Sequence, residues 1–170
     1  MRIAMTSPQS RHFLVTPTSL EADLALAGLA GGLAAASLLI AEGPQQAALA
    51  KALTGPAQAK GIAVLIEYDV ELAKAVEADG VMTGGSLKVW TAVKAALPKG
   101  AIIGARCASR HQAMELAEAG ADFIAFSTRD LIDWWGEIFQ VPCVSLIPGD
   151  DAPNADFIRP SDEVWGMNAP

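Results

Sequence analysis

Short apolar runs alternate with longer amphipathic segments along most of the chain, and this alternation limits the possible folds more than any other feature. The apolar runs are mostly continuous, which is typical of strands in a parallel sheet covered on its outer face. Strands are predicted at 12–16, 37–41, 63–67, 80–83, 101–106, 123–127, 143–147 and 157–159. Helices are predicted at 20–29, 45–53, 70–77, 87–97, 110–119 and 131–139. The pattern therefore predicts an α/β fold built from strand–helix units.

A weak internal repeat extends this prediction to a closed sheet. The motif Ala-Asp-x-aliphatic begins at Ala78, Ala121 and Ala155, each time at the entry to a predicted strand. Its aspartates are 43 and 34 residues apart, roughly the length of two strand–helix units. The repeat thus marks every second strand of an eight-unit series and favours a compact parallel (β/α)8 TIM-type barrel. An open doubly wound sheet is the alternative, although no Gly-x-Gly-x-x-Gly or Walker-type loop supports it.

The last strand–helix units are short. The segment between the strands predicted at 143–147 and 157–159 is too brief for a full crossover helix, so the barrel should have reduced or missing late helices. Apolar strand surface left uncovered there needs a partner, and we therefore predict a homo-oligomer that uses this face, with Trp134, Trp135 or Trp165 in the contact. The alternative is that these tryptophans fill the local core.

Length, charge and cysteine content limit the number of domains and the kinds of partner that the chain can have. The 170 residues form one predicted domain, 1–170, and the net charge of -7 with only 12 basic residues argues against a nucleic-acid partner. The stretch from Leu24 to Ala41 lacks charged side chains, but Gly31 and Gly32 divide it into a helix and a strand, so no membrane span is predicted. The two cysteines are far apart and lie in apolar segments, which favours free thiols and a cytoplasmic protein.

Residues 64–126 contain Glu-Tyr-Asp at 67–69, Ala-Asp-Gly-Val at 78–81 and Gly-Ala-Arg-Cys-Ala at 104–108. With these motifs the segment resembles the thiamine phosphate synthase/TenI family of compact parallel barrels. The family's Asn-Asp-Arg strand end corresponds to 67–69 (Glu-Tyr-Asp), and its Gly-Ala-Asp-Gly-Val-His-Leu-Gly corresponds to 77–84 (Glu-Ala-Asp-Gly-Val-Met-Thr-Gly). Its Gly-x-Ser-x-His strand end corresponds to 104–108 (Gly-Ala-Arg-Cys-Ala), followed by the next Gly-Ala-Asp at 120–122. The resemblance implies a phosphorylated ligand of the thiazole phosphate or pyrimidine pyrophosphate class, bound where the strands end.

Several positions on which the family's chemistry depends are substituted. The resemblance implies a transferase of thiamine metabolism with Mg²⁺ held by carboxylates, yet Tyr68 stands at the first aspartate and Leu87 at or near the second. The histidine of TenI-type isomerases aligns with Ala108. Ordinary catalysis is therefore not expected: Mg²⁺ belongs only with a retained synthase activity, and no other cofactor or metal site is predicted. The alternative is a non-catalytic binding or assembly module on the same barrel.

Three arginines fall at or just beyond predicted strand ends. Arg106, Arg129 and Arg159 would meet at the opening where the strands end, called the mouth below, and could clamp a phosphate or a carboxylate between guanidinium groups. The alternative is that each arginine pairs with a carboxylate such as Asp130, Asp150, Asp151 or Asp162. Gly149 takes the place of part of the family's phosphate-binding Gly-Gly-Ile and is added to the predicted anion site through the resemblance.

Two carboxylates and one thiol complete the set of candidates. Glu67 and Asp69 flank the substituted metal-ligand position and are the candidate catalytic residues; the alternative is that they pair with an arginine, cap the next helix or face solvent. Cys107 and His111 have the i, i+4 spacing of a nucleophile and its base. A buried thiol beside a solvent-facing imidazole is the favoured interpretation, and His12 is given no role.

Overall fold

The computed structural model describes residues 11–167, which form eight parallel strands joined in chain order into one sheet. The strands are β1 (Phe13–Val15), β2 (Ser37–Ile40), β3 (Ala63–Glu67), β4 (Gly80–Thr83), β5 (Ile102–Arg106), β6 (Ile124–Phe126), β7 (Cys143–Ser145) and β8 (Phe157–Ile158). The helices are α1 (Ala22–Ala30), α2 (Gln46–Ala59), α3 (Val70–Val76), α4 (Leu87–Ala96), α5 (Arg110–Ala119) and α6 (Arg129–Ile138), followed by a 3-10 helix at Asp162–Trp165.

A single parallel bridge between His12 and Ile158 joins β8 to the start of β1 and closes the ring. The predicted TIM-type barrel is confirmed, and the open doubly wound sheet is wrong. The shortened end is confirmed as well: no helix connects β7 to β8, and only the 3-10 helix follows β8 among the described residues.

Two apolar layers hold the barrel together. The inner layer is made of side chains in the strands or next to them, including Phe13, Leu65 and Phe123, while the outer layer joins the opposite strand faces to the helices. Phe13 and Phe123 meet edge to face inside the ring, with centroids 5.7 Å apart. Gly104 makes room for this contact, because a Cβ atom there would lie 2.2 Å from the Phe123 ring. The barrel interior is therefore a packed core below the mouth.

The Ala-Asp repeat has a structural explanation at the opposite opening, the N-terminal rim, where the strands begin. At each repeat the aspartate pairs with one residue of the preceding strand: its backbone N–H donates to that residue's carbonyl, and its Oδ2 accepts the same residue's N–H. The partners are Val64 for Asp79, Ile103 for Asp122 and Cys143 for Asp156, with N–H to Oδ2 distances of 2.7, 2.8 and 2.8 Å. These aspartate clamps fix the pairs β3–β4, β5–β6 and β7–β8, so the repeat marks every second strand as predicted.

Two helices have boundaries that differ from the prediction, and the larger difference is in α2. Helix α2 does not end at Leu53; it continues through Pro56 to Ala59. Pro56 lies on the exposed face of the helix. Its missing N–H costs little stability there, because the carbonyl that it leaves unbonded can face water. The next residue, Ala57, is fully buried. Tertiary packing of Ala57 thus outweighs the local Gly-Pro stop signal. Helix α6 begins at Arg129, two residues before its predicted start.

The uncharged stretch from Leu24 to Ala41 divides as predicted, with α1 ending at Ala30 and β2 beginning at Ser37. None of the helices within residues 11–167 has the length and apolar character needed to span a bilayer. Trp135 and Trp165 are buried in the core of this chain, which is the alternative considered for them, and Trp134 is half-buried. The homo-oligomer remains a prediction.

Candidate functional site

Strand periodicity brings three charged side chains to the mouth. Side chains alternate between the two faces of a strand, so Glu67 lies on the same face as the inner-core residue Leu65, and Arg159 on the same face as Phe157. Arg106 lies two positions after the glycine of β5 that faces the barrel interior. All three contribute to one cavity of about 910 Å³, a volume suited to a small-molecule ligand.

Glu67 is the buried acidic group of this cavity, with a side chain that is 7% exposed. Its Oε1 accepts the N–H of Glu42 at 3.0 Å, and its Oε2 lies 3.3 Å from Nη2 of Arg106. Within the described residues, Oε2 has no hydrogen-bond partner of good geometry. A buried carboxylate oxygen without a hydrogen bond is costly, so this atom favours the nearby positive charge of Arg106.

The guanidinium groups of Arg106 and Arg159 retain donors. Arg159 contacts Oδ1 of Asp162 at 3.2 Å and the Leu146 carbonyl at 3.4 Å. In both arginines the buried Nε atom has no hydrogen-bond partner among residues 11–167. The carboxylate pairing considered in the sequence thus occurs, with Glu67 and Asp162 as the partners, but it leaves part of each guanidinium fork unused.

Arg129 is separate from this pair. It is the first residue of α6, and its Nη1 and Nε atoms bind Asp150 at 2.8 Å and Asp133 at 3.3 Å. These bonds raise the pKa of Arg129, while the Ala152 N–H and Arg129 help to lower the pKa of Asp150. Arg129 is not among the residues that line the cavity with Arg106 and Arg159. Its guanidinium is therefore committed to local carboxylates.

Gly149 lies in the loop after β7 with a left-handed backbone (φ 73°). Its N–H donates to the carbonyl of Arg159 at 2.9 Å, while the preceding Pro148 lines the cavity without an N–H of its own. The Gly149 amide thus holds the segment just after β8 that carries Arg159, and its N–H is already used within the protein. Its predicted contact with an anion would require this bond to break.

The neighbours of Glu67 in the β3–α3 loop have different roles. Asp69 is the N-cap of α3, where its Oδ1 accepts the Leu72 N–H at 2.9 Å, so it acts as the helix cap considered from the sequence. Tyr68 has a left-handed backbone (φ 67°), which is strained for a residue with a bulky side chain, and its ring lies beside Gly84. Burial and then the charge of Glu67 raise the Tyr68 pKa, so the phenol is neutral at ordinary pH.

The side chains at the mouth do not fit a magnesium ion. Mg²⁺ needs oxygen ligands in a near-octahedral array, and within residues 11–167 no three acidic, histidine or cysteine side chains are grouped to hold a metal. Glu67 faces the Arg106 guanidinium at 3.3 Å. Two unit charges of like sign 4 Å apart near a protein surface repel by about 4 kcal/mol, and a divalent ion would double that cost. A metal bound by Glu67 would require Arg106 to move away.

Cys107 and His111 do not form a nucleophile and base. Burial raises the pKa of the Cys107 thiol to about 12, and the thiol points into the outer core. His111 is exposed on α5, where its Nε2 lies 3.5 Å from Oε2 of Glu115. The buried thiol beside a solvent-facing imidazole, favoured from the sequence, is confirmed.

Two residues of the site were missed in the sequence. Thr16 and Glu42 come from the loops after β1 and β2 and line the cavity. The Oγ1 atom of Thr16 accepts the Ala41 N–H at 2.9 Å, which ties these two loops together beside Glu67. Thr16 is the last residue of the strand predicted at 12–16 and Glu42 directly follows the one predicted at 37–41, and those positions alone could have pointed to them.

Comparisons with known proteins agree on one family. A family model described as thiamine monophosphate synthase matches residues 13–129. The thiamine-phosphate synthase of Erythrobacter litoralis (strain HTCC2594) is 34% identical over an alignment of 145 residues, which covers 71% of this chain and 68% of that protein. The thiamine-phosphate synthase of Rhodospirillum centenum (strain ATCC 51521 / SW) is 30% identical over 188 aligned residues, covering 94% of this chain and 91% of that protein.

Solved structures show the same fold at lower identity. The thiamine phosphate pyrophosphorylase from Pyrococcus furiosus has a TM-score of 0.76 and 21% identity, covering 94% of this chain and 89% of that one. The KDPG aldolase from Legionella pneumophila has a TM-score of 0.66 and 15% identity, covering 95% and 91%. At these identities the likeness establishes the barrel architecture alone.

Proposed function

This chain belongs to the thiamine-phosphate synthase family, and from that premise we propose that it binds a phosphorylated small molecule of the thiazole phosphate or pyrimidine pyrophosphate class at the barrel mouth without ordinary synthase turnover. The ligand's phosphate is held by Arg106 and Arg159, whose planar forks match phosphate oxygens bidentately. Its heterocycle occupies the rest of the cavity above the inner core.

One observation carries the binding proposal. Two arginines, Arg106 at the end of β5 and Arg159 just after β8, line one cavity, and each has a buried Nε without a hydrogen-bond partner among the described residues. Buried donors are normally satisfied. Because these Nε atoms have almost no solvent-accessible surface, a phosphate or pyrophosphate oxygen bonds first to the exposed part of each guanidinium and reaches Nε only when the side chain turns toward the cavity.

The loss of turnover is supported by the substituted positions. A neutral phenol at Tyr68 replaces a carboxylate, and Ala108 offers no acid–base group. Glu67 is the carboxylate that remains at the mouth from β3, and it is engaged by the Glu42 N–H and Arg106. A reaction that depends on metal-held pyrophosphate loses its supports at these positions.

Titration calorimetry and a turnover assay test the two parts separately. We expect thiazole phosphate or the pyrimidine pyrophosphate to bind, and Arg159→Ala to weaken that binding about tenfold, because a charge-assisted hydrogen bond contributes about 1.5–3 kcal/mol. Arg129→Ala is the matched control, since its guanidinium is outside the cavity, and it should leave affinity unchanged. If neither ligand binds, the binding proposal is overturned.

In the turnover assay both substrates are supplied with excess Mg²⁺, and pyrophosphate release is measured. We expect release no faster than in a protein-free control. Release at a rate that scales with protein concentration would overturn the proposed loss of catalysis. Loss of that release in a Glu67→Gln variant would show that the turnover depends on Glu67.

A further inference from the structure

Two substitutions relative to the family motifs meet in space. Glu67 stands where the family's Asn-Asp-Arg motif has asparagine, and Arg106 stands where its Gly-x-Ser-x-His motif has serine. The two positions are 39 residues apart in sequence and lie on β3 and β5, yet Oε2 of Glu67 is 3.3 Å from Nη2 of Arg106. Where the resembled motifs have two neutral polar residues, this chain has a pair of opposite charges across the mouth.

We infer that the mouth binds its anion without a divalent cation, because the Arg106 guanidinium, fixed by Glu67, supplies the positive charge there. This inference rests on the proposed function and specifies how the phosphate is held. It assigns Arg106 as the main anion-binding residue, Arg159 as the second, and Glu67 as the residue that positions Arg106.

The environment of Glu67 explains why the guanidinium stays in place. The Glu67 side chain is almost fully buried, its Oε1 is held by the Glu42 N–H at 3.0 Å, and the remaining oxygen faces Arg106. A carboxylate removed from water strongly favours a neighbouring cation. Arg106 satisfies this requirement on one side, and its side chain is still 38% exposed, which leaves N–H groups for an anion in the cavity.

Charge explains why a metal would oppose binding. A pyrophosphate that carries Mg²⁺ has lost part of its negative charge and has committed oxygens to the metal. Two guanidinium groups therefore contribute less binding free energy to this complex than to the free anion. The metal would also be repelled by Arg106, which lies beside the only buried carboxylate in the cavity's lining within the described residues. The expected metal dependence is therefore the reverse of that of a metal-requiring synthase.

Calorimetric titration of inorganic pyrophosphate into the full chain tests the inference, once with EDTA and once with excess Mg²⁺. We expect affinity in EDTA at least equal to that in Mg²⁺. Binding that appears only with Mg²⁺ would overturn the inference and leave the proposed ligand site standing. Absence of binding in both buffers would instead overturn the proposed function itself.

Variants test whether binding depends on the Arg106 guanidinium itself or only on the total positive charge of the protein. Arg106→Ser should weaken binding in EDTA about tenfold or more, while Arg129→Ala should not. Because Arg106→Ser leaves Glu67 buried without a cation, the double variant Glu67→Asn with Arg106→Ser is the second test: it removes both charges, should fold, and should bind as weakly as the single variant. Wild-type affinity in either would overturn the inference.

Discussion

The two ends of the barrel differ in what their polar residues bind. At the N-terminal rim, Asp79, Asp122 and Asp156 hold backbone N–H groups of the preceding strand with nearly identical geometry. At the mouth, Glu67 and Arg106 hold each other, and atoms of both remain without a hydrogen bond among the described residues. The rim aspartates are satisfied internally, and the buried Ser37 hydroxyl is the uncharged exception there, whereas the mouth retains unused charged donors and acceptors among the described residues.

This difference separates stability from recognition. Residues that satisfy backbone groups contribute to the folded state and have nothing left to offer a ligand. Residues with unused buried polar atoms lower stability and can regain that free energy when a ligand binds. Substitutions at the rim should therefore change unfolding, and substitutions at the mouth should change binding.

The largest expected effect concerns the two thiols, one at each end. Burial raises the pKa of Cys107 near the mouth and of Cys143 near the rim to about 12 in both cases, from an ordinary value near 9. At neutral pH the thiolate fraction of each cysteine should be on the order of 1,000-fold lower than that of an exposed cysteine. Reaction of the folded protein with an aromatic disulfide reagent should therefore be slow, and its rate should keep rising with pH instead of levelling near pH 9. The variants Cys107→Ser and Cys143→Ser assign the signal to each end. Rapid labelling of Cys107 alone would show that the mouth exposes a reactive thiol and would break the comparison.

Next is the loss of one aspartate clamp at the rim. Asp79→Ala leaves the N–H of the fully buried Val64 without its acceptor and should lower the free energy of unfolding by about 2 kcal/mol, or the melting temperature by about 4–8 °C. Asp79→Asn keeps an acceptor oxygen and should lose much less. Equal stability of the alanine variant and the wild type, measured by urea unfolding, would mean that the clamp is replaceable by water.

The matching change at the mouth should have the opposite profile. Arg159→Ala removes a partly exposed ion pair with Asp162 and should change the free energy of unfolding by less than about 1 kcal/mol, while pyrophosphate affinity falls about tenfold. Asp79→Ala should leave that affinity unchanged. If both variants change unfolding and affinity in parallel, the two ends do not have separate roles.

A smaller change in stability is expected from backbone strain at the rim, which is separate from the aspartate clamps. Glu77 ends α3 in the left-handed region (φ 56°), two residues before Asp79, where glycine is the favoured residue. Glu77→Gly should raise the free energy of unfolding by about 0.5–1 kcal/mol, since it relieves this strain. Gly120→Ala, at the left-handed end of α5 (φ 107°), should have the opposite sign. A destabilised Glu77→Gly variant would indicate that the Glu77 side chain itself supports the rim.

The sequence predicted the scaffold better than the site. Continuous apolar runs and a repeated Ala-Asp motif depend on packing and backbone pairing, which recur in every unit and leave a periodic pattern. The pairing of Glu67 with Arg106 recurs nowhere, since it joins two strand ends that are distant in sequence. Arg129 was placed at the mouth because it follows β6, but nothing local indicates that Asp133 and Asp150 take its guanidinium.

A crystal structure of the protein with inorganic pyrophosphate in metal-free buffer tests the central claim most directly. The account predicts density for the anion in the cavity between Arg106 and Arg159, with oxygens within hydrogen-bond distance of both guanidinium groups and Glu67 still facing Arg106. Density for the anion elsewhere on the barrel, or a cavity that holds only water at saturating pyrophosphate, would contradict it.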